Sequence, residues 1–322
     1  MRVLVTGGSG FIGTNAIDLF LSHGHTVESW DISPPRKAQH TPLWRRVDVL
    51  ATSEVGESLR VFAPTHVVHL AARTDLKGSS LAAYDVNTTG TANVLAGAES
   101  SPTVTRLLIA SSRLVCRLGY QPVADDDYQP DTYYGESKVA MERLVREASV
   151  AASWAIVRPT SIWGPWFGTP YRDFFTAIAA GRYLHPKGAV IPKSFGFVGN
   201  VAHQLYKLCT AEPALMDRRM FYLADYEPID VLEFATEIQH ALLVRRIRSV
   251  PTGVLRFGAL VGDALLRAGV EEPPLTRFRL TNLLTPMVYD LDPLRRVVGS
   301  TPYTVKEGID LSVAWLKEER LV

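Results

Sequence analysis

Cysteine is scarce in this chain: two residues, Cys116 and Cys209, among 322. They make no disulfide framework, so the sequence predicts free thiols in a reducing compartment and a fold held by its core. Charge excess is missing as well. Lys and Arg number 34 against 33 Asp and Glu, a formal net charge of +1. Nucleic-acid partners want a basic patch or stripe, and this balance gives no support to one. Long apolar runs are also lacking. The first, Val3 to Thr6, meets glycines at once, where a signal peptide needs a longer stretch. Val254 to Val270 is broken by Arg256, Asp263 and Arg267, whereas a membrane span needs about 20 residues nearly free of charge. No His, Cys or carboxylate cluster has metal-ligand spacing, and no repeat or low-complexity linker is visible. These absences predict a cytoplasmic protein with no metal, no nucleic-acid partner and no membrane association.

What is present is alternation. Arg2–Thr6, Thr26–Asp31, Arg45–Val47, His66–Leu70, Arg106–Ala110 and Ala155–Arg158 read as strands. Phe11–His23, Asn87–Ala98 and Tyr134–Ala148 read as helices among them. Strands alternating with helices predict βαβ units and a parallel sheet covered on both faces. The pattern loosens after Pro159. Helices are expected at Tyr171–Ala180, Val201–Thr210, Asp230–Ala241 and Val254–Arg267. A last one should open with the capping box Thr304-Val-Lys-Glu307. The expected architecture is a doubly wound α/β Rossmann domain over residues 1–165. A smaller substrate-binding region over 166–322 is expected to be partly interleaved with it.

Gly7-Gly-Ser-Gly-Phe-Ile-Gly13 follows the first strand and opens the first helix. The spacing of Gly7, Gly10 and Gly13 suits a tight turn, close approach of a pyrophosphate and close helix–sheet packing. The helix N-terminus offers free N–H groups to phosphates. Asp31 ends the second strand about 20 residues on, where a carboxylate accepts from ribose hydroxyls and repels a 2′-phosphate. This predicts NAD rather than NADP, although Arg36 lies close by. Asp48, in the loop after the third strand, is placed to meet the adenine edge.

Tyr134 and Lys138 stand four apart, on one helical face. An ammonium beside a phenol favours the phenolate, which then exchanges a proton with a substrate hydroxyl near neutral pH. Ser112 stands at a strand carboxyl end, where ligands gather in such sheets. His66 and His69 lie in a buried strand pattern and read as core or supporting residues.

Taken together these segments resemble the extended short-chain dehydrogenases/reductases, of the NAD-dependent epimerase/dehydratase type. The matching stretches include Gly7–Gly13, Asp31, Asp48-Val49, His69-Leu-Ala-Ala72, Asn87, Ser111-Ser112, Tyr134-Gly-Glu-Ser-Lys138 and Arg158-Pro-Thr-Ser-Ile-Trp-Gly-Pro165. The resemblance implies that Tyr134 is the acid/base, that Ser112 holds the substrate oxygen, and that Lys138 also binds the nicotinamide ribose. It places Phe11, Ile12, Val49, Leu70, Ala71, Ala72, Arg73, Asn87, Pro159, Thr160 and Ile162 around the cofactor. Arg113, Arg172, Arg182 and Lys193 become candidates for a substrate diphosphate, and Trp163 and Trp166 for stacking. A homodimer through two Rossmann helices is the corresponding assembly.

The chain departs from the pattern in three places. Arg113-Leu114 stand where dehydratases carry two acids, Cys116-Arg117 replace Tyr-Gly, and Asn200 replaces an acidic residue. Sugar dehydration is thereby disfavoured. The leading expectation is a nucleotide-sugar 4-epimerase. The alternatives are a dehydrogenase or reductase of a sugar, sterol-like or other secondary alcohol, and a non-catalytic cofactor sensor. The joint presence of Ser112, Tyr134 and Lys138 argues against the sensor.

Overall fold

A computed structural model describes every residue except Glu271, Glu272 and Pro274. Its strands are β1 (Arg2–Thr6), β2 (Thr26–Trp30), β3 (Trp44–Arg45), β4 (His66–His69), β5 (Arg106–Ala110), β6 (Ser153–Pro159), β7 (Ser161–Trp163), β8 (Leu184–Pro186), β9 (Pro192–Lys193), β10 (Phe195–Phe197), β11 (Arg219–Leu223), β12 (Ile229–Asp230) and β13 (Arg248–Val250). Its helices are α1 (Phe11–Ser22), α2 (Thr52–Phe62), α3 (Asp85–Glu99), α4 (Tyr133–Glu147), α5 (Tyr171–Ala179), α6 (Val198–Thr210), α7 (Pro213–Met216), α8 (Val231–Leu242), α9 (Thr252–Arg267), α10 (Arg277–Leu284), α11 (Asp292–Val298) and α12 (Val305–Glu318).

Seven strands form one sheet in the order β11-β6-β5-β4-β1-β2-β3, and every neighbouring pair is parallel. The expected doubly wound parallel sheet is therefore present. Its strands are apolar on both faces because helices cover both: Val3, Leu4 and Val5 of β1 are all fully buried. One face packs Phe20 and Ile17 against Leu205 and Leu208, and the other packs Leu59, Val94 and Met141 over Leu4 and Ile109. Each face hides enough branched apolar surface to fix the register of its helices.

The chain leaves β1 in one direction to β2 and β3, then returns to lay β4, β5 and β6 on the other side. The order reverses between β1 and β4, and ligands of such sheets bind outside the carboxyl ends at that switch point. β11, from the second half of the chain, pairs with β6 and closes the sheet. Arg106, buried on β5, donates to the carbonyls of Leu208 and Ala211, both at 2.8 Å, and so ties the C-terminal end of α6 to the sheet. The capping box at α12 is formed: Thr304 Oγ1 accepts from the Glu307 N–H at 3.2 Å, and Glu307 accepts from the Thr304 N–H at 2.8 Å. Both cysteines are free and buried. Among the described residues no helix is long and apolar enough to cross a membrane, and no group of His, Cys or carboxylates could hold a metal.

Candidate active site

The glycine loop lies over the carboxyl end of β1, at the switch point. Gly7 has φ +69°, and a Cβ there would stand 2.6 Å from the Ala71 nitrogen. One on Gly13 would stand 2.4 Å from the Gly7 carbonyl oxygen. Only glycine lets these backbones meet. No side chain caps α1, so the first amides of Phe11 and Ile12 face the crevice as an anion site. Asp31 follows β2 and accepts from the Ser9 N–H at 3.1 Å and the Ser33 N–H at 2.9 Å. Arg36 sits near Asp31 but spends donors on carbonyls, Nε on Ser9 and Nη1 on Trp166, both at 2.8 Å. A glycine cradle that a Cβ would fill, an uncapped helix end and a carboxylate beyond β2 fit a dinucleotide with free ribose hydroxyls.

Leu70 to Arg73 leave β4 beside this loop. The Leu70 and Ala71 N–H groups donate to Thr6, at its carbonyl and its hydroxyl. Asn87 is fully buried and locks the same segment: it accepts from the Arg73 N–H at 2.9 Å, donates to the Arg73 carbonyl at 3.0 Å, and donates to Ser137 Oγ at 2.9 Å. Its hydrogen-bonding groups face protein, so it positions the cofactor-side loop and α4, which corrects its place among residues touching cofactor. The Arg73 side chain turns away to pair with Asp75. Asp48 caps its own turn by accepting from the Leu50 N–H at 3.0 Å. Val49 is buried against α3 at Gly90. Ile162, on β7, packs into the core beside Gly196, and Thr160 Oγ1 donates to the Ser194 carbonyl at 2.8 Å.

Ser112, Tyr134 and Lys138 meet where β5 ends against α4. Ser112 Oγ accepts from the Leu114 N–H at 3.1 Å and lies beside the Tyr134 phenol. Lys138 Nζ donates to the Ala110 carbonyl at 2.8 Å. Burial pushes the Lys138 ammonium down to about 8, with Glu142 opposing. The Tyr134 hydroxyl is pushed up by burial, while Ser112 and Arg113 pull it down. Arg113, which follows Ser112 in the sequence, is thus a second cation acting on this site. His69, fully enclosed, meets Thr6 at 2.7 Å and Thr91 at 3.0 Å. Burial and the Lys138 charge press it down to about 3, so it is a neutral supporting residue.

The proposed substrate residues divide. Arg113, 9% exposed, and Lys193, 5% exposed, lie close enough for the Arg113 charge to act on the Lys193 ammonium. Lys193 Nζ donates to the Asn282 carbonyl of α10, and burial with the Arg113 charge brings it down to about 7. Tyr171 and Tyr289 complete this pocket against Arg113. Both tyrosines went unmarked in the sequence because nothing in spacing connects them to Ser112. Arg172 goes elsewhere: it faces Arg36, on the glycine-loop side. Arg182 is exposed. Trp163 has no face for a substrate. It is fully buried among Phe175, Phe197 and Phe234, with ring centroids 5.0 to 5.9 Å away, and the expectation that it stacks on substrate is corrected. Trp166 packs on Trp315 at 5.6 Å.

Residues 3–194 match the model of the NAD dependent epimerase/dehydratase family. A 3-beta-hydroxysteroid dehydrogenase of Mycolicibacterium neoaurum is 27% identical, over 95% of this chain and 88% of its own. The N-acetyl-alpha-D-glucosaminyl-diphospho-ditrans,octacis-undecaprenol 4-epimerase of Escherichia coli O157:H7 is 25% identical, over 98% of this chain and 95% of its own. The NAD complex of the Thermus thermophilus UDP-glucose 4-epimerase superposes with a TM-score of 0.74 at 22% identity, covering 98% of this chain and 99% of that one. The chain therefore belongs to the NAD-dependent epimerase/dehydratase family and is an NAD-dependent enzyme of the extended short-chain dehydrogenase/reductase type.

Proposed function

We propose that this enzyme oxidises and reduces a secondary alcohol that carries an anionic group close to the reacting carbon. The observation that carries this reading is the position of Arg113. Its charge acts on the Tyr134 phenol and on Lys193 alike, and among the described residues neither cation has a carboxylate partner. Two buried like charges side by side repel, and an anion between them relieves that cost. Ser112 holds the substrate oxygen, and Tyr134 takes or returns its proton. Lys138, one turn along α4, supplies positive charge behind the tyrosine and a donor toward the nicotinamide ribose. NAD, when bound, supplies the hydride acceptor. Gly7, Gly10, Phe11, Ile12 and Gly13 would hold its phosphates, Asp31 its adenosine ribose, and Leu70 to Ala72 with Pro159 and Ile162 its inner half. The chain from 166 onward would supply most of the substrate side.

Within this chemistry two outcomes are separable. In a nucleotide-sugar 4-epimerase the hydride returns to the opposite face of the same substrate, and the two pocket cations meet its charged end. In a net dehydrogenase or ketoreductase the ketone leaves. The similarity to the hydroxysteroid dehydrogenase over nearly the whole chain favours that second reading. The purified enzyme should be supplied with NAD and with UDP-glucuronic acid, whose carboxylate adjoins C4, and with an uncharged 3-hydroxysteroid, which this reading expects to be the poorer substrate. Reduced nicotinamide is followed by absorbance, and sugar stereochemistry by NMR. Turnover lost in Tyr134→Phe supports the shared chemistry, and accumulation of reduced nicotinamide selects the dehydrogenase. An enzyme that binds no NAD and turns over none of these refutes the proposal.

A further inference from the structure

We propose that α9 docks this enzyme on an anionic bilayer surface, a partner that the bulk composition did not suggest. A helix on a globular protein ordinarily buries its apolar stripe and turns a polar face to water. α9 has two apolar faces. Leu255 and Ala259 pack inward on Leu280 of α10, and Gly262 admits the Leu275 carbonyl where a Cβ has no room. The outward face carries Val254, Phe257, Leu260, Val261, Ala264, Leu265 and Ala268, all exposed. Their spacing at three and four residues makes one continuous stripe, about 20 Å long at the α-helical rise. Phe257 is 70% exposed, Val254 54% and Leu260 53%. Phe278, on the adjoining α10, extends the patch. Single exposed apolar residues need no explanation, but a contiguous stripe marks an interaction surface.

The charges around the stripe select its occupant. From residue 243 to 272 the sequence holds Arg245, Arg246, Arg248, Arg256 and Arg267 against Asp263, Glu271 and Glu272, a net basic segment. That aspartate accepts from the Arg277 side chain. Among the described residues, none of the five arginines forms an ion pair. On a helical wheel Arg256 and Arg267 fall side by side on one rim of the stripe. An apolar ridge flanked by unpaired arginines is the pattern of a helix lying in a lipid interface. A second copy of the chain would set the same arginines near each other across a two-fold axis, which opposes self-association. The neutral total charge conceals this patch because the remainder of the chain balances it.

The surface also adjoins the site. α10 packs on α9 and carries Asn282, whose carbonyl accepts from Lys193. Docking through α9 therefore brings the substrate side of the molecule toward the lipid.

The test is co-sedimentation of the full-length protein with phosphatidylcholine vesicles, with and without phosphatidylglycerol. Binding should need the anionic lipid and weaken with salt. Phe257→Ser with Leu260→Ser should release the protein from the vesicles. Arg256→Glu with Arg267→Glu should cut affinity by at least about fivefold per arginine, the effect of one cation near such a surface. Val61→Ser, at an exposed apolar residue of α2, should change nothing. All these side chains are exposed, and unchanged far-ultraviolet circular dichroism confirms that the variants fold. The proposal is overturned if the wild type stays in the supernatant with both vesicles. It is equally overturned if the serine variants dissociate a dimer without affecting sedimentation. Turnover on soluble substrates is expected to survive in every variant, so failure here leaves the proposed reaction standing.

Discussion

Glu142 and Arg158 form an ion pair with no solvent contact: both side chains are fully buried. Arg158 Nε lies 2.8 Å from Glu142 Oε1, and Nη2 lies 2.7 Å from Oε2. The guanidinium also donates to the Asp125 carbonyl at 2.6 Å and to the Tyr222 hydroxyl at 3.2 Å, while Tyr128 donates to Glu142 Oε2 at 2.9 Å. Burial would lower the Arg158 pKa, but the Glu142 carboxylate wins and holds it above its ordinary value. Replacing Glu142 by Gln keeps the shape and removes the charge. The amide nitrogen then confronts a donor, and a buried guanidinium is left without a counter-ion. Breaking one side of such a pair costs about 3 to 5 kcal/mol. Unfolding entropy per residue, summed over this chain, is ~0.7 kcal/mol/K, so the Tm should fall by roughly 4 to 7 °C. Circular dichroism on heating measures this. The double variant Glu142→Leu with Arg158→Met removes both charges and should recover much of the loss. A Tm shift for Glu142→Gln under about 1 °C would refute the reasoning, as would a double variant no better than the single one. There is a catalytic corollary. Glu142 supports the Lys138 ammonium from one turn away, so the variant's alkaline limb of activity should move to lower pH.

Tyr134→Phe should retain NAD binding, measured by fluorescence quenching, while losing at least about a hundredfold in turnover. A variant with near wild-type turnover would remove Tyr134 from the chemistry. Gly7→Ala meets both a φ of +69° and the Ala71 backbone, and should abolish NAD binding in a titration while the far-ultraviolet spectrum persists; unchanged affinity would contradict the loop geometry. Lys193 is held down to about 7 when folded, whereas an unfolded lysine titrates near 10.4. Between those values the unfolded chain binds the extra proton, so stability should rise with pH across that window. Lys193→Met should flatten that rise in urea midpoints and stabilise the apoprotein below about pH 7; an unchanged slope would show that Lys193 is not desolvated.

The first half of the fold was legible because two periods dominate it. Fully apolar strands such as Arg106–Ala110, bounded by turns, have one reading, and glycine at positions 7, 10 and 13 fixes where phosphate can approach. β11 was not legible, although Arg219–Leu223 is as apolar as β5. Its place beside β6 depends on contacts made across the whole second half. Trp163 misled for a related reason. An aromatic just beyond a strand reads alike whether it points into a cleft or between α5, α8 and β10, and Phe175, Phe197 and Phe234 decide the matter from elsewhere in the chain. Asn87 was placed in the right neighbourhood, but its role changed once all its hydrogen bonds were seen to go to Arg73 and Ser137.

Two of the chain's three departures from the family pattern, Arg113-Leu114 and Cys116-Arg117, lie just beyond the carboxyl end of β5. Arg113 and Leu114 occupy positions where dehydratases hold acids, and Lys138 gives one donor to the Ala110 carbonyl. In the proposed reaction Arg113, whose charge acts on the Tyr134 phenol, would meet the substrate, and Lys138 would meet the ribose. A carboxylic acid next to Ser112 would serve to remove or add a proton at a carbon. An arginine there cannot serve this way, because a guanidinium offers donors and no acceptor. What it can do is bind an anion bidentately and fix the substrate's rotation about the carbon held by Ser112. In the proposed reaction the substitution thus exchanges a second acid/base for orientation and leaves hydride and hydroxyl-proton transfer as the chemistry. On that reading the inner pocket would recognise the substrate's charge more than its ring.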